Sequence, residues 1–369
     1  MSLVVSSVAE LQDGILAGRR LLPRGGGTKT GLSSDLPGFE VADLRPLRGI
    51  VEHQPSEFTI TVLAGTLLSE LETTLAEQGQ YLPFDPVLVD RGGTVGGAVA
   101  AGIAGSGRLR YGGVRDFVLA VEIVDGRGRL VRGGGRVVKN AAGFDLPKLM
   151  VGSVGALGIL TEVCFKVFPR LSSAMTVRAD YDSLEEAVAA LQTLRGGPHD
   201  LDALDLDGSC SLWARVVGLP ASLALRAEKV RSVLGCAEIV DTAVSDEYWS
   251  TVRELGWIEG ETFLVKVPLT PPRIPGLDRE VAGVCSSRYY SAGGQQAWLG
   301  LSSMEQLREL DRVLSGVGLR GLVVLGAGGP VLLGLSRDRE LVERLRRTLD
   351  PRGLFRDIDS LAAVACDTK

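Results

Sequence analysis

The residues whose type and spacing most clearly suggest a chemical role are the glycines at 91–116. This stretch reads RGGTVGGAVAAGIAGSGRLRYGGVRD. Helix formation does not explain them, because each glycine costs a helix about 1 kcal/mol relative to alanine. Glycine is favoured where a backbone must approach another group closely. Thr94 is suited to cap a short helix from Val95 to Ile103, and free N–H groups at a helix start attract phosphate. The stretch predicts a phosphate-binding segment, with tight helix packing as the alternative.

A second glycine-rich segment lies at residues 21–31, which read LLPRGGGTKTG. Three consecutive glycines followed by a hydroxyl residue can form a nest, in which successive backbone N–H groups converge on an anion. Pro23 stiffens the start of the segment, and Lys29 can add positive charge. The pattern favours anion binding over a flexible surface loop.

Composition excludes several classes of protein. The 369 residues, 45% hydrophobic and 23% charged, are typical of a soluble globular protein with one large or two medium domains. A net charge of −5 argues against nucleic-acid binding. The N-terminus lacks a signal-peptide pattern. The apolar run 318–335 is interrupted by Arg320, glycines and Pro330, which indicates buried strands.

The five cysteines are scattered and include no C-x-x-C pair. This spacing excludes a self-contained iron–sulfur cluster or zinc ribbon and favours reduced, mostly buried thiols in the cytoplasm.

The hydrophobic pattern predicts the elements that must position these glycines. In the first part we expect helices at 8–17 and 68–78, strands at 58–63, 117–124 and 159–167, and a hairpin turn at 125–128. After Pro169 the glycine density falls and a second region begins. Its expected strands are 174–181, 203–207, 211–217, 261–267 and 296–301, and its expected helices are 184–195, 221–234, 246–255, 304–314 and 337–349. The pattern predicts an α+β fold whose antiparallel sheet is covered by helices on one face.

Five segments carry a resemblance to a known family: RGGGT at 24–28, GGTVGG at 92–97, YGGVRD at 111–116, KNAAGFDL at 139–146 and GSVGALGILTE at 152–162. In order and spacing they resemble the PCMH-type FAD-binding domain of the vanillyl-alcohol oxidase superfamily. Within it, the chain is most similar to the FAD-binding E-type subunit of bacterial glycolate oxidase. The resemblance implies a two-part FAD-binding domain at 1–170, an α+β cap domain at 171–349 and a return segment at 350–369. It is weaker in the cap, and 356–359 departs from the family's Asn-Pro-Gly-Arg ending.

The resemblance also implies the cofactor and its contacts. Glycines 25–27 with Thr28 would cradle the FAD pyrophosphate from one side, the segment 93–97 would close it from the other, and 155–159 would lie near the adenine and ribose. Neither glycine motif holds a histidine or cysteine, so the FAD is expected to be non-covalent. The expected cofactor-binding residues are Arg24, Gly25, Gly26, Gly27, Thr28, Lys29, Thr30, Gly92, Gly93, Thr94, Gly96, Gly97, Gly105, Ser106, Arg115, Gly155, Gly158 and Ile159.

The scarcity of histidine bears on catalysis. The resemblance implies that hydroxy-acid dehydrogenases of this superfamily use histidines and a carboxylate in the cap to hold a metal and remove the hydroxyl proton. This chain has two histidines, His53 and His199, and both are expected to be solvated loop residues. No metal site is therefore expected and no catalytic residue is assigned, and Arg115 and Lys139 remain weak candidate bases.

Two classes of function stay open. One is an FAD-binding subunit of a 2-hydroxy-acid (glycolate) dehydrogenase or oxidase; the other is a non-catalytic or electron-relay flavin module. A stand-alone FAD-dependent oxidoreductase of another hydroxy acid or alcohol is a further alternative. The G-x-G-x-x-G match at 316–321 follows a helix and precedes a strand, the reverse of a nicotinamide site. Without a nicotinamide site, the chain is expected to need other chains to reoxidise its flavin. The resemblance implies that these partners are a paralogous flavoprotein subunit and an iron–sulfur subunit, in the cytoplasm or peripheral to the inner membrane through those subunits.

Overall fold

The structure, a computed structural model, describes residues 2–135, 145–171, 173–258, 260–335 and 339–357. Most of the KNAAGFDL segment, the candidate base Lys139, Cys366 and the end of the diverged 356–359 run lie outside these ranges. None of the described helices combines the length and apolar composition needed to cross a membrane.

The chain forms two compact units. The first contains Met1–Ala104, Gly113–Arg170 and Ser336–Lys369, and the second contains Gly105–Gly112 and Leu171–Leu335. This division differs from the expected domains in two places. Residues 105–112 group with the second unit, where the Ser106 hydroxyl donates to Asp205. The helix near 337–349, expected in the cap, groups with the first unit, where Leu349 O accepts from Gly126 N at 2.7 Å.

The first unit contains three small sheets, with elements numbered along the whole chain. Its strands are β1 Ser2–Val4, β2 Leu21–Arg24, β3 Glu40–Asp43, β4 Ile50–Gln54, β5 Thr59–Leu63, β6 Gln80–Tyr81, β7 Val118–Val124, β8 Leu130–Gly134, β9 Ile159–Lys166 and β10 Phe168–Pro169. Its helices are α1 Val8–Leu16, α2 Thr30–Ser33, α3 Leu68–Ala76, α4 Val95–Ala101, α6 Leu146–Met150 and α12 Arg339–Leu349.

The sheets of the first unit separate by strand direction. The three-stranded sheet, in the order β1-β3-β2, is parallel, whereas the five-stranded sheet β4-β5-β9-β7-β8 and the pair β10-β6 are antiparallel. Helix α3 buries Leu68, Leu71 and Leu75, the spacing that places apolar side chains on one helical face. The three-stranded sheet, α1 and the return residues Leu354 and Phe355 share one buried cluster.

The second unit is built on one nine-stranded antiparallel sheet, in the order β14-β11-β13-β12-β16-β17-β15-β18-β19. Its strands are β11 Ser173–Asp180, β12 Ala203–Leu206, β13 Ser211–Gly218, β14 Ala237–Ile239, β15 Phe263–Pro268, β16 Ser287–Ser291, β17 Gln296–Leu301, β18 Arg320–Leu325 and β19 Leu332–Gly334. Its helices are α5 Arg108–Tyr111, α7 Leu184–Gly196, α8 Pro220–Leu234, α9 Thr242–Arg253, α10 Ile274–Val281 and α11 Met304–Gly316.

The two faces of the nine-stranded sheet differ. One face packs against α7, α8, α10 and α11 in the large hydrophobic core. The expectation that helices cover only one face is wrong for α9. Trp249 of this helix packs with Ala203 and Trp213. Those two residues lie on the opposite face of the sheet, because the residues next to them in sequence belong to the large hydrophobic core. The rest of that second face carries polar side chains, among them Asp205, Lys266 and Gln296, and the Ser106 hydroxyl donates to Asp205 there. We call it the polar face.

Candidate functional site

A cleft of about 740 Å³, including its opening to solvent, lies in the first unit. Three segments line it, at 23–33, 94–101 and 153–160, together with Leu44 and Ala64. The first two are the glycine-rich segments that sequence analysis singled out.

The first wall follows strand β2, where the chain turns into three glycines. A Cβ on Gly25 would lie 2.0 Å from Thr94 Oγ1, and one on Gly26 would lie 1.8 Å from Gly92 O. Gly27 has φ +67°, a conformation that side-chain-bearing residues rarely adopt. The two glycine-rich segments therefore touch each other, and glycine is required at their contact.

The second wall is α4, and its glycines divide into two groups. Thr94 caps the helix as expected, since its Oγ1 accepts from Gly97 N at 3.3 Å. Gly96 faces the protein, where a Cβ would lie 2.8 Å from that of Ala64. Gly93 is similar, with Leu88 O at 2.6 Å. A Cβ on Gly97 would meet only Thr94 Oγ1, at 3.0 Å, and otherwise enter open space. Tight packing therefore explains Gly93 and Gly96, whereas access for a ligand explains Gly97.

The third wall contains a polar group that sequence analysis did not assign. Ser153 is 4% exposed and lines the cleft, and its Oγ has no hydrogen-bond partner. The next residue, Val154, has φ +50°, which is strained for a β-branched side chain. Gly155 follows at φ +74°, and a Cβ there would lie 2.5 Å from Pro23. A strained turn that presents an unpartnered hydroxyl to a cleft indicates a ligand contact.

Two cations belong to the first wall. Arg24 donates from Nη2 to Ser33 O at 2.6 Å and forms an ion pair with Asp35. Lys29 is 7% exposed, and its carbonyl accepts from Leu32 N at 2.9 Å at the start of α2. Their charges favour an anionic group in the cleft.

The cleft brings together most of the expected cofactor-binding residues, but not all. Those that line it are Arg24, Gly25, Gly26, Gly27, Thr28, Lys29, Thr94, Gly96, Gly97, Gly155 and Gly158. Thr30, Gly92, Gly93, Arg115 and Ile159 do not line it, and Gly105 and Ser106 belong to the second unit. Arg115 is exposed on a short 3₁₀ helix, and Ile159 is buried in the first unit's core.

Ser153, Val154, Ala100 and Ala101 also line the cleft and were not among the residues predicted from the sequence. Ser153 stood inside a motif quoted for its glycines. Its hydroxyl could have indicated a ligand contact, because a serine in a glycine-containing turn can present a hydroxyl that is free to donate a hydrogen bond. The alanines continue the small-residue face of α4.

The residues present fit an FAD. Glycine at 25–27 and 97 leaves backbone exposed to a pyrophosphate, and Arg24 and Lys29 complement its charge. Leu44, Ala64 and Leu160 supply apolar lining suited to aromatic rings. The unpartnered Ser153 hydroxyl supplies a hydrogen-bonding group that the protein itself does not use.

The histidines are placed differently from the expectation. His53 lies on strand β4 and not in a turn, and its Nε2 is 3.0 Å from Gln80 Oε1. His199 is partly buried in the loop after α7. In the described part of the chain, no three His, Cys, Asp or Glu side chains are grouped closely enough to hold a metal ion. Of the cysteines described, Cys164 and Cys285 are buried but Cys236 is exposed, so the expectation of mostly buried thiols holds only in part.

The second unit contains a buried carboxyl that the sequence did not reveal. Asp205 is fully buried, and desolvation raises its pKa to about 6. It accepts hydrogen bonds from Tyr289 Oη at 2.8 Å, from Ala292 N at 2.9 Å and from the Ser106 hydroxyl. Both carboxyl oxygens are therefore used within the protein. The Ser106 side chain, expected at the cofactor, is engaged here.

Comparison with known proteins agrees with this geometry. Residues 5–134 match the family model described as an FAD binding domain. The chain is 33% identical to the glycolate oxidase subunit GlcE of Escherichia coli (strain K12) over 346 residues, 91% of each chain. It is 31% identical to the glycolate oxidase subunit GlcD of Bacillus subtilis (strain 168) over 50% of this chain and 40% of that protein. A D-lactate dehydrogenase of Anaerostipes hadrus is 33% identical over 45% of this chain and 35% of its own length.

The fold has solved relatives as well. A structure of alkyldihydroxyacetonephosphate synthase superposes with a TM-score of 0.73 at 16% sequence identity, covering 95% of this chain and 75% of that one. This similarity concerns the fold alone. The resemblance read from the five sequence segments is confirmed, and so is the α+β fold with its PCMH-type FAD-binding domain. The chain belongs to the family of the glycolate oxidase subunit GlcE.

Proposed function

We propose that this chain is the FAD-binding subunit of a 2-hydroxy-acid dehydrogenase or oxidase complex, with glycolate as the expected substrate of that complex. The observation that carries the proposal is the cleft, whose walls are two touching glycine-rich segments and a strained turn with an unpartnered serine. Bound FAD would supply the two-electron acceptor for oxidation of a CH–OH group.

The chain's own residues would bind and orient the cofactor. Backbone N–H groups of 25–28 would donate to the pyrophosphate, and Arg24 and Lys29 would balance its charge. Gly97 keeps the wall of α4 open, and Ser153 would donate its hydroxyl. Among the described residues that line the cleft, none is a histidine or cysteine, and we propose non-covalent attachment.

The proposed partners are a paralogous flavoprotein subunit and an iron–sulfur subunit. Two observations support this. The relatives that match are named as GlcE and GlcD subunits of glycolate oxidase. Among the described residues, no three His, Cys, Asp or Glu side chains are grouped as ligands for a metal that would assist a base. The buried carboxyl of Asp205 already accepts three hydrogen bonds. Substrate oxidation and reoxidation would then both depend on other chains.

The cofactor proposal is tested on the purified chain. We expect a yellow protein with close to one FAD per chain, and acid precipitation should release the flavin into the supernatant. Flavin retained in the pellet would show covalent attachment, and FMN in its place would contradict the proposed site.

The subunit proposal is tested with an artificial dye acceptor. Glycolate and D-lactate are supplied to the isolated chain and to the chain co-expressed with the products of its neighbouring genes. We expect turnover only from the co-expressed complex. Robust turnover by the isolated chain would instead support a stand-alone FAD-dependent oxidoreductase.

A further inference from the structure

Two cations without anionic partners lie at the polar face of the second unit. Lys266 lies on β15. Arg108 begins α5, two residues after Ser106, whose hydroxyl donates to Asp205 on this face. The charge of Arg108 contributes to a lowered pKa of Lys266. Among the described residues no carboxylate pairs with either side chain. Two arginines elsewhere on the same sheet differ, since Arg215 pairs with Asp202 at 2.6 Å and Arg178 with Asp180 at 2.9 Å. Two adjacent unpaired cations on a folded surface are unfavourable unless an anion joins them.

Asp205 does not supply that anion. It lies on the same face, but Tyr289, Ala292 and Ser106 already occupy its oxygens. Burial and the charge of Arg108 lower the pKa of Lys266 to about 8, with burial the larger cause. A carboxylate paired with this lysine would oppose such a shift.

A second, independent observation points to the same place. Gln296 is 2% exposed, and neither its Oε1 nor its Nε2 has a hydrogen-bond partner. An unpaired buried polar group costs roughly 1–3 kcal/mol, so such a side chain calls for a partner.

Strand register places the glutamine beside the lysine. Lys266 is paired with Trp298 across β15 and β17, and Gln296 precedes Trp298 by two residues on the same face. Such diagonal neighbours have Cβ atoms roughly 7–8 Å apart, within reach of two long side chains. Trp298 lies between them and is itself fixed, since its Nε1 donates to Ser291 Oγ at 3.0 Å.

We infer that Lys266, Arg108 and Gln296 form a binding site for a small 2-hydroxy carboxylate. The two cations would bind the carboxylate group. The Gln296 amide has one donor group and one acceptor, which suits a hydroxyl that both accepts and donates. A carboxylate without a hydroxyl would leave the Gln296 carbonyl without a donor. The inference deepens the proposed function and rests on it for the substrate class, whereas binding is measurable without turnover.

The test is equilibrium binding to the full chain with its FAD, measured by titration calorimetry. The probe is 2-hydroxyisobutyrate, a small 2-hydroxy carboxylate whose tertiary alcohol carbon has no hydrogen to oxidise. Isobutyrate, which lacks the hydroxyl, and inorganic phosphate are the comparison arms. We expect saturable 2-hydroxyisobutyrate binding that Lys266→Met and Gln296→Leu each weaken at least tenfold. Lys266→Arg, which keeps the charge, should retain affinity within about threefold. Lys229→Met, on the exposed surface of α8, should bind like the unchanged protein.

Three results would overturn the inference: no 2-hydroxyisobutyrate binding by the unchanged chain, unaltered binding by Lys266→Met, or isobutyrate or phosphate binding at least as tight as 2-hydroxyisobutyrate binding. Circular dichroism and FAD content check that each variant is folded. Because FAD content is measured separately, absence of 2-hydroxyisobutyrate binding by the unchanged chain with full FAD content would count against this site alone. Absence of FAD would count against the proposed function.

Discussion

At the level of single residues, adjacent glycines on α4 have different reasons to be glycine. Gly96 packs on Ala64, whereas Gly97 faces the cleft. We expect Gly97→Ala to weaken FAD binding at least tenfold, because the new methyl group would occupy cofactor space. Stability without FAD should change by less than about 1 kcal/mol, since alanine's higher helix propensity offsets the tight contact with Thr94. Fluorescence titration of the apoprotein with FAD, with thermal unfolding alongside, measures both effects.

Two other glycines serve as controls for that variant. Gly276 lies inside α10, and a Cβ there would have no neighbouring atom within 4 Å, so Gly276→Ala should keep full FAD affinity and gain about 0.5–1 kcal/mol. Gly96→Ala should lower stability itself, because its Cβ meets Ala64 at 2.8 Å. Equal FAD affinity in Gly97→Ala and Gly276→Ala would place the pyrophosphate elsewhere.

Ser153 gives a second prediction at this scale. Its Oγ is buried without a partner, so Ser153→Ala should leave the apoprotein as stable as before or slightly more stable. FAD affinity should fall about 5- to 30-fold, equivalent to roughly 1–2 kcal/mol for one hydrogen bond. The measurement is the same titration, with Ser232→Ala on the exposed face of α8 as the control. A loss of apoprotein stability without a loss of FAD affinity would mean that the hydroxyl serves the fold.

At the level of elements, residues 105–112 are held to the second unit's sheet through Asp205, which accepts from Ser106. Desolvation raises the pKa of Asp205 from 3.8 to about 6. Between these values the folded protein binds more protons than the unfolded chain, so this group's contribution to stability falls as pH rises. Asparagine does not titrate. The stability of Asp205→Asn relative to the unchanged protein should therefore rise by about 2–3 kcal/mol from pH 4 to pH 7.

Urea denaturation at several pH values between 4 and 7 measures that difference. Comparing the two proteins at each pH cancels the titration of the other carboxylates. A difference that stays constant over this range would show that Asp205 titrates alike in the folded and unfolded states.

Individual helices and strands were predicted from the sequence better than the tertiary contacts between them. Helix α4 with its Thr94 cap, and strands β5, β7 and β9, follow from local periodicity and capping, which depend on nearby residues. Strand β16 was missed, although its Tyr289-Tyr290 pair precedes a glycine turn at 293–294. The position of α9 on the second sheet face was missed too, because Trp249 finds Trp213 only through tertiary packing.

The functional residues, too, were predictable only where a local sequence pattern marks them. Glycines and cations that line the cleft were predictable because phosphate binding imposes a local pattern. The network of Ser106, Asp205 and Tyr289 was not, because Asp205 is 99 residues from Ser106 and 84 residues from Tyr289 along the chain. A raised pKa depends on burial, which no local motif encodes.

At the level of the whole molecule, the end of the chain returns to the first unit. Asp350 is 4% exposed and accepts from Leu354 N and Phe355 N, both at 2.9 Å. Leu354 O in turn accepts from Leu21 N at 2.9 Å, on the strand that leads into the first glycine wall. The C-terminal segment is therefore part of the support of the cleft, although more than 300 residues separate it from that wall in the sequence.

We accordingly expect Asp350→Ala to weaken the first unit and its cofactor site together. Losing two hydrogen bonds to a buried carboxylate should cost about 2–4 kcal/mol, and looser support of β2 should lower FAD affinity. Hydrogen exchange should increase in β2 and 25–29 but not in the nine-stranded sheet. Asp241→Ala, which removes the cap of α9 at Ala243 N, is the matched control and should affect only the second unit. Unchanged exchange in β2 would show that the return segment does not support the cleft.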